Sequence, residues 1–131
     1  MGDIKLIKNC IQSNNLISSK NTILIFNILR NLGLTPTLKG TKLLNKAIQI
    51  VINSDNEFIL IEDVYNQIAL NCIGFNSVQI RNVIKYAIDN RNEQKSIANF
   101  EKIFECKYDK YYFTNKIIIE EVARVVKNFK V

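Results

Sequence analysis

Apolar residues recur three and four positions apart along nearly the whole chain, which is the period of one face of a helix. Ile4, Ile7 and Ile11 share such a face, and the polar run Gln12-Ser13-Asn14-Asn15 breaks it. A second periodic segment spans about 20–32, with Ile25, Ile28, Leu29 and Leu32 inward, Ser18 or Ser19 as cap and Gly33 as its stop. The loop LTPTLKG leads to a third helix over about 41–53, with Leu43, Leu44, Ala47, Ile48 and Val51 facing inward, and Asn53-Ser54-Asp55-Asn56 turns the chain. Phe58-Ile59-Leu60-Ile61 fits a short strand or the lead-in to a helix. The acidic pair Glu62-Asp63 suits a helix first turn and sets the next helix at about 61–71. Asn76 and Gln79 stand at capping-box spacing before the buried stripe Ile80, Val83, Ile84, Ala87 and Ile88, giving a helix over 76–90. Further helices near 93–104 and 115–129 follow, and KYDKYYF between them admits a loop or a short hairpin. The pattern predicts an all-α domain of about six helices over 19–131, preceded by a helical extension over 1–18.

Residues 65–90 within this pattern are two amphipathic helices joined by a glycine turn. The second carries Arg81, Asn82 and Lys85 on its polar face, the layout of a helix-turn-helix with a recognition helix. Taken alone, those three residues read as a solvated helix face, because helices commonly expose such residues.

Composition narrows the chemistry. The 131 residues suit one domain with a single core. The chain has no histidine, which removes histidine-based acid–base catalysis, Ser-His and Cys-His pairs and histidine-containing metal sites. No glycine-rich phosphate loop or paired-carboxylate motif is present, so no enzyme, cofactor or metal site is expected. The acids at 55–63 match no EF-hand spacing and read as a solvated turn and helix N-terminus. Cys10, Cys72 and Cys106 are too far apart for a CxxC pair and read as free, buried thiols of a cytoplasmic protein. No apolar run reaches membrane-spanning length, and nothing points to a membrane or small-molecule partner. The net charge of +6 favours an anionic partner, with double-stranded DNA first. That charge is segregated: Lys20, Arg30, Lys39, Lys42 and Lys46 fall in a stretch without an acid, and residues 54–70 carry acids without a base.

The segment 28–48, ILRNLGLTPTLKGTKLLNKAI, resembles the start of the C-terminal DNA-binding effector domain of the sporulation response regulator, stage-zero sporulation protein A. Leu32-Gly33, Lys39-Gly40, Leu44 and Ala47-Ile48 fall at the spacing of that family. VYNQIA (64–69), IRNVIKYAID (80–89) and FTNKIIIEEVA (113–123) resemble its later motifs in order. The resemblance implies a six-helix bundle of the winged-helix-like superfamily, bound to DNA as a homodimer on repeated sites through a recognition helix at about 76–90. It departs from the family in three ways. The turn between Ala69 and Ile80 is one residue longer. Arg81-Asn82 replaces a Glu-Arg pair, and Lys85 replaces an arginine. No receiver domain fits before residue 19, and Met1 with the helical pattern of 4–11 points to a stand-alone effector-like domain.

On this reading Arg81, Asn82 and Lys85 read bases in the major groove, where arginine pairs with guanine and asparagine with adenine. Val78 and Gln79 are secondary candidates. Ser77, at the helix N-terminus, and Lys39, Lys42 and Lys46 hold phosphates. For Lys39-Gly40 a phosphate clamp and an ordinary loop before a helix stand level. Arg91 and Lys95 read as solvent-exposed charges. Tyr108, Tyr111, Tyr112 and Phe113 read as rings packed under a loop or at a dimer contact rather than a stacking platform for single strands. The alternative to DNA binding is a protein-interaction module that keeps the fold.

Overall fold

The computed structural model describes residues 19–54, 59–72 and 74–129. The expected helix over 4–11, Ser18, Cys10 and residues 55–58 lie outside them. Six α-helices and no strand make up the described residues: α1 (Ser19–Asn31), α2 (Lys39–Asn53), α3 (Ile61–Asn71), α4 (Ser77–Asp89), α5 (Glu93–Phe104) and α6 (Asn115–Phe129). The expected ranges of α3, α5 and α6 match to the residue. Ile59 and Leu60 are a non-helical lead-in to α3 rather than a strand.

The α2 helix is the hub, packed against α1, α3, α4 and α6. From Gly40 to Ile50 every residue of it except Lys42 is buried. Around it Ile25, Leu29 and Leu32 of α1, Val64 and Ile68 of α3, Ile80, Ile84 and Ile88 of α4, Phe100 of α5 and Ile118, Val122 and Val126 of α6 close one core. A polar seam also enters the interior between α1 and α2. Asn45 Nδ2 donates to the Thr22 carbonyl at 3.0 Å, and Gln49 Nε2 donates to Asn45 Oδ1 at 2.7 Å and to Thr22 Oγ1 at 3.1 Å. Buried amides need such partners, because an unmade bond there costs about 1–3 kcal/mol.

The joints follow from local chemistry. Gly33 takes φ +98° at the end of α1, and its amide bonds the Arg30 carbonyl while Leu34 bonds that of Leu29, the paired bonds of a Schellman stop. A Cβ at Gly33 would also stand 2.2 Å from the Asn92 carbonyl oxygen, so the α1 stop and the α4–α5 corner are in backbone contact. Asn92 N–H returns a bond to the Gly33 carbonyl at 2.8 Å. At that corner Arg91 is not a solvated charge as expected. Its Nε donates to Ser96 Oγ at 3.0 Å, its Nη1 to the Ile88 carbonyl at 3.1 Å, and its guanidinium lies 3.7 Å from the centre of the Phe113 ring. Ser96 Oγ in turn donates to the Leu32 carbonyl at 2.6 Å. One arginine thus joins the ends of α1, α4 and α5.

KYDKYYF is a loop with a single 3-10 turn at Lys110–Tyr112, capped by Asp109. Tyr108, Tyr112 and Phe113 pack edge-on or tilted against Phe100, whereas Tyr111 is exposed. Cysteine chemistry also differs from expectation. Cys72 is buried but disulfide-bonded rather than a free thiol, and Cys106 is free but exposed. The Cys106 Sγ lies 3.6 Å from the Tyr112 hydroxyl. That contact, with burial second, pushes the Tyr112 phenol up to about 12.

Candidate nucleic-acid interface

The α3–turn–α4 unit has the helix-turn-helix arrangement that the spacing predicts. Cys72 ends α3, Gly74 supplies a turn residue at φ +92°, and Asn76 caps α4. The capping box is complete: Gln79 N–H donates to Asn76 Oδ1 at 2.8 Å and Asn76 N–H donates to Gln79 Oε1 at 2.9 Å. Gln79 therefore has its side-chain oxygen committed to the cap, which makes it a helix-start residue before it is a base reader.

Ile80, Ile84, Ala87 and Ile88 bury one side of α4, and Val78, Gln79, Arg81, Asn82, Lys85, Tyr86 and Asp89 are exposed on the other. Ser77 is half-buried at the first turn. Lys85 Nζ pairs with Asp89 Oδ2 at 2.8 Å, with both side chains more than half exposed. An exposed i,i+4 pair of this kind is worth about 0.3–0.5 kcal/mol, so Lys85 can leave it for a phosphate or a base at little cost.

Two other helix starts flank α4. On one side the start of α2 comes up to it: Leu38, Lys39 and Gly40 border a notch with Asn82, Val83 and Tyr86. The α2 helix begins at Lys39, two residues earlier than expected, so Lys39-Gly40 is a first helical turn and not a loop. No side chain caps that turn. The reason for the glycine is packing: a Cβ at Gly40 would lie 2.1 Å from the Val83 carbonyl oxygen and 2.7 Å from the Ala87 Cβ. On the other side Thr114, Asn115 and Lys116 at the start of α6 border a groove with Arg81, Lys85 and Asp89. Thr114 Oγ1 caps α6 by accepting from Ile117 N–H at 3.2 Å. Asn115 Nδ2 donates to the Arg81 carbonyl at 2.9 Å and to the Tyr65 hydroxyl at 3.1 Å, fixing α4 and α3 to α6. Burial is the main influence on the Tyr65 phenol and raises its pKa, and the Asn115 bond opposes it.

The expected contact residues divide accordingly. Arg81, Asn82, Lys85 and Val78 lie on one exposed arc, and Lys39 is brought beside Asn82. Lys42 is half-exposed one position beyond Thr41. Lys46 does not belong with them: it is 0% exposed, and burial lowers its pKa below the usual lysine value. Spacing of four residues puts Lys46 on the Lys42 face, but by the second turn that face runs under neighbouring elements. Sequence reasoning also missed Asn115, Lys116 and Tyr86. The first two stand in a Thr-Asn-Lys helix start that the apolar run Ile117-Ile118-Ile119 marks, and Tyr86 sits one turn after Asn82.

The family described as Sporulation initiation factor Spo0A C terminal matches residues 25–126, from within α1 through most of α6. No curated protein and no solved structure matches the chain.

Proposed function

This chain belongs to the sporulation initiation factor Spo0A C-terminal family, a family of DNA-binding regulatory domains, and from that premise we propose that it recognises a specific duplex sequence by setting α4 into the major groove. The observation that carries the proposal is that two helix starts flank the exposed arc of α4. The α4 arc bearing Arg81, Asn82 and Lys85 stands between the first turns of α2 and α6, whose positive dipole ends and lysines, Lys39, Lys42 and Lys116, suit the phosphates bordering a groove. Arg81 is the guanine reader and Asn82 the adenine reader. Ser77 and Val78 touch the backbone or base edges at the helix start. Residues 19–131 form the effector unit, with 1–18 as an extension, and two copies pair on repeated sites.

Selection of bound duplexes from a random pool, followed by titration at several salt concentrations, tests this. Arg81→Ala or Asn82→Ala should cost about 1–3 kcal/mol and relax preference at one base pair. Lys39→Ala should weaken binding to all sequences alike and lower the salt slope by about one. Unchanged affinity in Arg81→Ala would overturn the recognition-helix assignment. An absence of binding to any duplex at low salt would favour a protein-interaction module on the same fold.

A further inference from the structure

Tyr86 is 61% exposed on α4, in the same arc as Asn82 and one turn beyond it. Val78, Asn82 and Tyr86 follow one another at intervals of four and so form a single ridge along the helix. Beside that ridge Leu38, just before α2, Gly40 in its first turn and Val83 from α4 close a notch whose lining is almost wholly apolar, with Lys39 also among its lining residues. A lone exposed tyrosine needs no explanation. An apolar notch that continues a base-reading amide, on the face that meets an anionic duplex, narrows what can fill it. The major-groove edges of the four base pairs offer donors and acceptors and one apolar group, the 5-methyl of thymine.

We propose that the notch between Tyr86, Val83 and Leu38 takes the 5-methyl group of a thymine in the base pair neighbouring the adenine read by Asn82, which makes Tyr86 a specificity-determining residue. Asn82 supplies polar recognition of one base, and the tyrosine ring supplies carbon surface for the next. The positive charge of Lys39, which also lines the notch, has the sign that suits an adjoining phosphate. The inference rests on the placement of α4 in the major groove, and the experiment separates the two.

In the duplex selected from a random pool, each thymine is replaced in turn by deoxyuridine, which removes the methyl and keeps the pairing. The whole chain should lose roughly fourfold in affinity at one position, the effect of leaving one methyl-sized apolar group in water. Tyr86→Ala should bind the parent duplex more weakly and be indifferent to deoxyuridine at that position. Tyr86→Phe, which keeps the ring, should retain the discrimination. If every deoxyuridine duplex binds the unaltered chain as tightly as the parent while Arg81→Ala is still impaired, the notch assignment fails and the groove assignment stands. If Tyr86→Ala keeps the position-specific loss, the notch assignment also fails. If Arg81→Ala is unimpaired, both fail together.

Discussion

Gly40→Ala separates helix propensity from packing, because the two predict opposite signs. Alanine in place of glycine inside a helix is worth about 0.5–1 kcal/mol in stability where space allows. At residue 40 space does not allow it. The new Cβ would stand 2.1 Å from the Val83 carbonyl oxygen, more than an ångström inside ordinary contact, and that oxygen is backbone rather than the end of a flexible side chain. Relief requires α2 and α4 to move apart. Both are buried against each other through residues such as Leu43, Leu44, Ile80 and Ile84, which are 0% exposed, so separation opens voids in a close-packed core. Overpacking of this type costs about 1–3 kcal/mol. The net expectation is a loss of about 1–2 kcal/mol and a drop in Tm of roughly 4–8 °C for a domain of this size.

The measurement is thermal unfolding followed by circular dichroism, with urea titration to confirm that the m-value is unchanged. The displacement acts on Val83, in the middle of the helix that carries Arg81, Asn82 and Lys85, so duplex affinity should fall beyond what the unfolded fraction explains. A variant as stable as the parent, or more stable, would refute the close contact between α2 and α4 and leave propensity as the whole effect.

Asn115→Ala should cost about 1–3 kcal/mol in urea unfolding, since the Arg81 carbonyl and Tyr65 hydroxyl lose their donor; Asn115→Asp, which fits the space but cannot donate when ionised, should be no more stable than the alanine variant, and parent-like stability of Asn115→Asp would remove the bonding role. Lys46→Met removes the buried ammonium and with it the pH dependence that this group gives to stability. Because burial lowers the Lys46 pKa in the folded state below its ordinary 10.5, the unfolded chain binds more protons in the interval below that value, so this group's contribution to stability rises with pH there. The stability difference between Lys46→Met and the parent should therefore move in favour of the parent as pH is raised toward 10.5, and a difference that is constant across that interval would contradict a desolvated ammonium.

The helices were legible in the sequence because their buried stripes are regular. Ile80, Ile84 and Ile88 are buried at the expected spacing, and the Asn76–Gln79 box forms with both bonds. What was not legible depends on contacts between distant segments. Nothing in the local sequence of Lys39-Gly40 says that Val83 lies against it, so a glycine required by packing looks like a loop residue. Arg91 looks like any surface arginine until Ser96, Ile88 and Phe113 are brought around it. Lys46 shows the reverse error. Period gives the direction in which a side chain points, and exposure depends on what is packed there, so the four-residue step from Lys42 carried no information about burial.

The three devices that hold α4 in place share one property: none uses a side chain from its exposed arc. Gly40 meets the backbone of Val83, Asn115 bonds the backbone carbonyl of Arg81, and Arg91 bonds the backbone carbonyl of Ile88. Together with the buried stripe of Ile80, Ile84, Ala87 and Ile88, these main-chain contacts set the position and orientation of the helix. The arc carrying Val78, Arg81, Asn82, Lys85 and Tyr86 is then relieved of any bracing duty, apart from the weak exposed pair between Lys85 and Asp89. A substitution there alters what the helix presents without altering where the helix stands. This predicts that exchanges confined to that arc will change duplex preference at nearly constant stability, whereas exchanges at Gly40, Arg91 or Asn115 will change both.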